Sequence, residues 1–256
     1  MTATELPLDA IDVPRVQRRT VGVLAGSQVL SGIAIAGSVA AGSLIAVSVS
    51  GSEAVAGLAQ TFGVLGAALM ALPLARLALS KGRRASLSVG YGVGGAGAVI
   101  VIAGAVWQSL PLILIGCLLV GVASASGYQA RYAAVDLAVD DKRGQQLSYV
   151  VWAGTIGAVL GPNLLAPSGA LGRALGLPEL AGPYVVTAVT LLGAVVILLV
   201  LLRPDPYLLA ARLRARQDAA DAFSIISNVI PVILISICNE VIPSSVPATL
   251  KSMSPK

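Results

Sequence analysis

The chain carries 256 residues, of which 56% are hydrophobic and only 11% charged, with a mean hydropathy of +0.88 and a net charge of +5. That is too apolar for one water-soluble core, and 4% aromatic residues with no basic patch among them exclude a nucleic-acid surface. With no histidine and only Cys117 and Cys238 as thiols, neither a zinc site nor a Cys-His nucleophile can be assembled within the chain. One disulfide is arithmetically open, although both cysteines also fit as small apolar filler. The expected partner of most of this surface is a lipid bilayer.

Residues 1–20 hold Glu5, Asp9, Asp12, Arg15, Arg18 and Arg19 without an apolar run, and read as a cytoplasmic tail. The charge-free stretch that follows is far longer than the apolar part of a secretory signal, about 7–15 residues. It predicts an uncleaved first span at 21–47. Glu53 marks the first turn, and a second span covers 55–74; Arg76, Lys81, Arg83 and Arg84 then make a basic turn around Gly82. No charge interrupts residues 85–130, too long for one span of about 20 residues. A turn at 108–111 divides it into a third span at 87–106 and a fourth at 112–134, with Trp107 at the membrane surface.

A fifth span at 147–166 follows Asp140-Asp-Lys-Arg143-Gly144. Prolines, glycines, Arg173 and Glu179 predict a long outer loop over 167–183, and the Val- and Leu-rich sixth span covers 184–202. Residues 204–222, with Arg212, Arg214 and Arg216, read as a basic cytoplasmic or interfacial segment. From 223 to 256 glycine is absent and isoleucine crowds in; the apolar part, 225–237, is short for a span, so this compositionally distinct tail reads as non-native, with a seventh span as the alternative. Up to residue 222, fourteen lysines and arginines fall on the side of the N-terminus and one, Arg173, on the other. Positive charge is retained in the cytoplasm. The expectation is an all-α polytopic protein of the plasma membrane with six transmembrane helices and a cytoplasmic N-terminus.

No nucleophile, metal cluster or phosphate-binding loop stands out, so neither enzymatic activity nor a cofactor is expected; Gly90-x-Gly92-x-Gly94-Gly95 lies inside a span, where glycine serves packing. The polar residues with most reason to face a cavity are Gln28, Ser31, Gln60, Trp152 and Asn163, because an amide in lipid must find partners. Lone serines and threonines such as Ser124 and Ser126 can bond within their own helix. Arg131 stands about 30 Å along its helix from Pro111, which makes it a boundary residue that snorkels to phosphates. Asp136 reads as a partner for Arg83 or Arg84. Gly157-x-x-x-Gly161-Pro162 reads as a packing hinge, the glycines admitting a neighbouring helix and the proline removing a backbone donor.

The run Ala134-Val-Asp136-Leu, Lys142-Arg143-Gly144 and Gly157-x-x-x-Gly161-Pro162 resembles the fourth-helix, loop and fifth-helix signature of the major facilitator superfamily, especially its drug-efflux proton antiporters. Lys81-Gly82-Arg83-Arg84-x-x-Leu87 is similar to the end of that family's loop between helices two and three. The resemblance covers residues 20–203. It departs at Ala75 and Leu79, where the family's loop has Gly and Asp, and at Cys117, where helix four usually carries arginine. It implies two six-helix halves, each of two inverted three-helix repeats, rocking about a midplane site for a small molecule. Helices one, two, four and five would line that site, and three and six would face lipid more. It also implies efflux, a cytoplasmic gate of Arg83, Arg84, Asp136 and Arg143, and protons as a coupling partner, although no acid is embedded in the six spans. The chain then reads as the N-terminal half of a twelve-helix carrier, completed by a missing C-terminal half or a second copy. The alternatives are a six-helix membrane scaffold or assembly partner that transports nothing, and a non-functional truncated product.

Overall fold

A computed structural model describes residues 12–138 and 140–217; the segments 1–11 and 218–256, and with them the isoleucine-rich tail 223–256, lie outside the described residues. The helices, ion pair and cavities below belong to the first of two compact units, Met1–Ala210, the second being Ala211–Lys256.

α1 runs over Val13–Ser50. The Asp12 carboxylate accepts the Arg15 N–H at 3.1 Å and Pro14 sits in the first turn, both natural at a helix start. The expected tail therefore ends sooner than residue 20: Arg15, Arg18 and Arg19 ride on the first turns of α1. At 38 residues the helix is about 57 Å long, well beyond a hydrocarbon thickness of about 30 Å. Gly51 closes it in the left-handed conformation, φ 68°, donating to Val47 O. A 3-10 turn at Glu53–Val55 leads into α2, Ala56–Lys81; α3, Arg83–Val106, and α4, Leu110–Ala133, follow.

α5, Arg143–Asn163, and α6, Leu165–Ala174, meet at a bend of 57°. Pro162 lacks a backbone donor, and the Leu164 N–H bonds Gly161 O in addition to its α-helical acceptor Leu160 O, so the last turn of α5 tightens toward 3-10 where the bend falls. The expected outer loop at 167–183 is thus largely helical. Pro167 stands in the first turn of α6, where a missing N–H costs nothing, and Gly176, φ 71°, supplies the stop only after Ala174. The exposed pair Arg173–Glu179 joins the end of α6 to a 3-10 turn at Glu179–Ala181 before α7, Gly182–Leu201. Among the described residues five helices are long and apolar enough to cross a bilayer, and there are six spans if the bent α5–α6 pair crosses as one. The protein is an all-α polytopic membrane protein.

The packing carries an internal symmetry. α1 lies along α5 and α2 along α4; α3 packs on α4 and α7 on α1; α2 touches α3 as α6 touches α7. Exchanging the first three spans for the last three turns each of these contacts into its counterpart, which is the pairing that two inverted repeats generate. Hydrocarbon supplies no hydrophobic drive between helices, so close contact depends on small residues. The packed interior is accordingly rich in alanine: Ala34, Ala123, Ala130 and Ala194 around Leu24 and Tyr91 in one cluster, Ala41, Ala98 and Ala105 around Ile45 and Tyr184 in another. α2 and α5 bury few residues, whereas half of the apolar window of α3 is inside. The expectation that spans three and six turn most surface outward is not met by α3 within this unit; α7 buries about a third of its apolar window and leaves Val189, Val196 and Val200 exposed, whereas α4 is more buried than either.

Candidate functional site

At the basic end of the bundle, one carboxylate organises two helix starts. Asp205 accepts the N–H groups of Arg83 at 3.2 Å and Arg84 at 2.8 Å, and also that of Tyr207 at 3.0 Å. Those donors have no partner within their own helices, and a negative charge is favoured at their dipoles. The approach requires glycine at 82: its φ is +89°, and a Cβ there would lie 2.6 Å from Asp205 Cγ. Nothing in residues 204–222 had singled out Asp205, although an acid directly after Arg203-Pro204 and before a helix is a capping signal.

With the start of α3 held in this way, Arg83 reaches across to the end of α4. Its Nε lies 2.9 Å from Asp136 Oδ2, and its Nη2 donates to Oδ1 at 3.4 Å. The two side chains are only 16% and 13% exposed. A two-point guanidinium–carboxylate contact is among the stronger polar contacts available to a protein. The same guanidinium lies 5.6 Å from the centroid of the Tyr207 ring. Arg84 points elsewhere and donates to Leu199 O at 2.6 Å, at the end of α7. Of the two arginines proposed for Asp136, the structure brings Arg83 to it. Arg143 is the first residue of α5. Nearby, buried Gln17 donates to Ala134 O at 2.7 Å and bonds Gln146, tying α1 to the ends of α4 and α5 from within the stretch read as tail.

Deeper in the bundle, Gln28 of α1 donates to Gly127 O of α4 at 2.9 Å, and Ser31 donates to Gln28 Oε1 at 3.0 Å. The Tyr91 hydroxyl of α3 donates to Ser31 Oγ at 3.4 Å. Three helices are cross-linked by one buried polar chain. Beside it are two cavities that meet at Ile35, Ser124 and Tyr128. The larger, about 310 Å³, lies away from the basic end between α1, α2 and α4, with Gln60 and Ser38 on its wall and the Tyr184 hydroxyl, which donates to Ser38 O, at its edge. The smaller, about 190 Å³, lies toward the basic end between α1, α4 and α5, and includes Gln28, Ser31 and Arg131.

Of the five expected cavity residues, Gln28, Ser31 and Gln60 line these spaces. Trp152 and Asn163 do not. On α5 the lining residues are Gly154 and Ala158; at about 100° per residue Trp152 lies about 200° around the helix from Gly154, and it is 69% exposed. Asn163 is exposed and donates to Val159 O in its own helix. Two lining residues passed over as ligands, Tyr128 and Arg131, share a helical face with Ser124 at the spacing i, i+4, i+7, a pattern present in the sequence.

Gly157 and Gly161 form the contact of α5 with α1. A Cβ on Gly157 would overlap Val29 O and lie 3.0 Å from Gly32 Cα; one on Gly161 would lie 2.8 Å from Ala36 Cβ. The two backbones therefore touch, with Pro162 and the bend directly beyond.

Two helix triplets with matching contacts around a cavity, and an ion pair at the basic end, make this a polytopic helical membrane protein. The chain belongs to the Major Facilitator Superfamily, whose sequence model matches residues 24–251. It is similar to two proteins of Bacillus subtilis (strain 168), the uncharacterized MFS-type transporters YdeG and YddS. Identity to YdeG is 39% over 201 residues, 78% of this chain and 47% of that protein. Identity to YddS is 35% over 219 residues, 84% of this chain and 50% of that protein. The riboflavin transporter RfnT of Brucella anthropi is 30% identical over 148 residues, 58% of this chain and 37% of that protein. The chain spans about half the length of the two Bacillus relatives. No solved structure matches it.

Proposed function

We propose that the chain forms the N-terminal half of a plasma-membrane carrier that exports a small aromatic molecule by alternating access. The observation that carries this reading is the shielded Arg83–Asp136 pair at the basic end of a cavity flanked by symmetry-related helices. A pair between the start of α3 and the end of α4 holds one arrangement of that end and can be exchanged for another when the halves rock. The facing half is a C-terminal half or a second copy of this chain. Gln28, Ser31, Gln60, Ser124 and Tyr128 offer hydrogen bonds among apolar walls, which suits a flat ring with a polar edge. RfnT is named for riboflavin, a molecule of that kind, so riboflavin is the first substrate to test. Protons find no carboxylate on the lining of either cavity and meet one at Asp136.

The orientation and the activity are tested together. Single cysteines replacing Glu53, Gln108 or Arg173 are expected to react with an impermeant maleimide on intact cells, and those replacing Lys81, Lys142 or Arg212 only after permeabilisation. The opposite pattern would reverse the topology. Inside-out vesicles containing the correctly inserted chain are expected to accumulate labelled riboflavin or an aromatic carboxylate above vesicles without it. No accumulation of either, by the chain alone or joined to the C-terminal half of YdeG, would replace the carrier with a six-helix scaffold.

A further inference from the structure

Resting on the carrier reading, we infer that the ligand bears an anionic group, held by Arg131 in the smaller cavity, with its apolar body in the larger one. Arg131 lies in the last turn of α4 and contributes to the cavity wall, and its Nε is buried without an acceptor. Among the described residues no carboxylate pairs with it. Other cations of the first unit meet an oxygen of the protein: Arg83 meets Asp136, Arg173 meets Glu179, and Arg84, whose own Nε is also buried without an acceptor, donates from Nη2 to Leu199 O. Arg131 is half-buried, and a guanidinium partly withdrawn from water with no counter-charge is favoured when something else supplies the charge.

The neighbouring polar groups do not supply it. Gln28 is engaged with Gly127 O and Ser31, so the amide and hydroxyl beside Arg131 already have partners. Neither cavity is lined by an aspartate or glutamate. The guanidinium lies 5.2 Å from the centroid of the Tyr128 ring, and that ring also belongs to the larger cavity. One contact thus links a fixed cation to the space in which an apolar body would sit. This changes the role of Arg131 from a boundary residue that snorkels to phosphate into a specificity determinant. A lipid phosphate and a substrate anion present the same chemistry to it, and the experiment separates them.

The probes are 2-naphthoate and its neutral isostere 2-naphthamide, titrated by calorimetry into the 256-residue chain in a neutral detergent. The naphthoate is expected to bind about tenfold more tightly, the effect of one charge-assisted hydrogen-bonded contact. Arg131→Gln is expected to abolish that preference while leaving naphthamide affinity unchanged, and Arg131→Lys to keep part of it. In nanodiscs, the preference is expected to be the same with phosphatidylcholine as with phosphatidylglycerol. Equal binding of the two probes, binding of neither, or a preference that survives Arg131→Gln would overturn the inference. A preference lost only in phosphatidylglycerol would assign Arg131 to a lipid headgroup instead. The carrier reading fails on a different result, absence of vesicle accumulation, which leaves the charge preference free to stand.

Discussion

Reversing the charge at Asp136 is expected to weaken the purified chain and to impair transport in a complete carrier, with Arg83→Asp in the same molecule restoring part of both. Asp136→Arg leaves the guanidinium of Arg83 facing a like charge in a site where the side chains are only 16% and 13% exposed. Loss of the two-point contact is expected to cost about 2 kcal/mol, a fall in melting temperature of about 4–8 °C for a chain of this size. Arg84→Asp combined with Asp136→Arg is expected to restore nothing, because Arg84 bonds Leu199 O instead. Thermal unfolding of the four members of each cycle in detergent gives the coupling energy directly. A cycle for Arg83 and Asp136 that is additive would remove the gate, and equal rescue by Arg84 would mean that the two arginines exchange.

The second large effect is expected at Gly157. A Cβ there meets backbone, the Val29 carbonyl and Gly32 Cα, and neither can turn aside as a side-chain end could. Gly157→Ala is therefore expected to cost about 1–3 kcal/mol by forcing α1 and α5 apart, and Gly157→Leu to prevent their association. Gly154, one turn earlier on the same helix, has nothing within 4 Å of the position of a Cβ. Gly154→Ala is expected to be neutral or stabilising by up to about 1 kcal/mol, since alanine favours the helix. Melting temperatures of the two alanine variants make the comparison. Equal values would show that the contact between the helices is looser than the structure has it.

How much of this was legible beforehand depends on the range of the physics involved. Transmembrane helices are visible because lipid demands a long apolar run from each segment on its own, and the breaks at Gly82 and Gln108–Pro111 are local chemistry. Start and stop were less legible. Asp12 and Pro14 carry a readable helix-start signal, yet the charges of residues 15–19 drew attention to water instead of to the helix that continues through them. Pro167 looked like loop because proline usually breaks helices, and its tolerance in a first turn becomes visible only once Leu165 is known to begin one. The candidate site divides in the same way. Gln28 and Ser31 were found by polarity at membrane depth. Trp152 and Asn163 met the same criterion and face elsewhere, because polarity does not say which side of α5 is turned toward α1.

By itself the sequence determined an all-α membrane chain, the positions of its spans and the clustering of positive charge at one end, since each follows from the composition of a segment and the solvent it must meet. Tertiary structure alone decided that Arg83 rather than Arg84 meets Asp136, that Asp205 caps the start of α3, and that Arg131 faces a cavity without a counter-charge. Those choices depend on how helices far apart in the chain are rotated against one another. That rotation is set by backbone contacts such as Gly32 with Gly157, in which the residues matter for the side chains they lack.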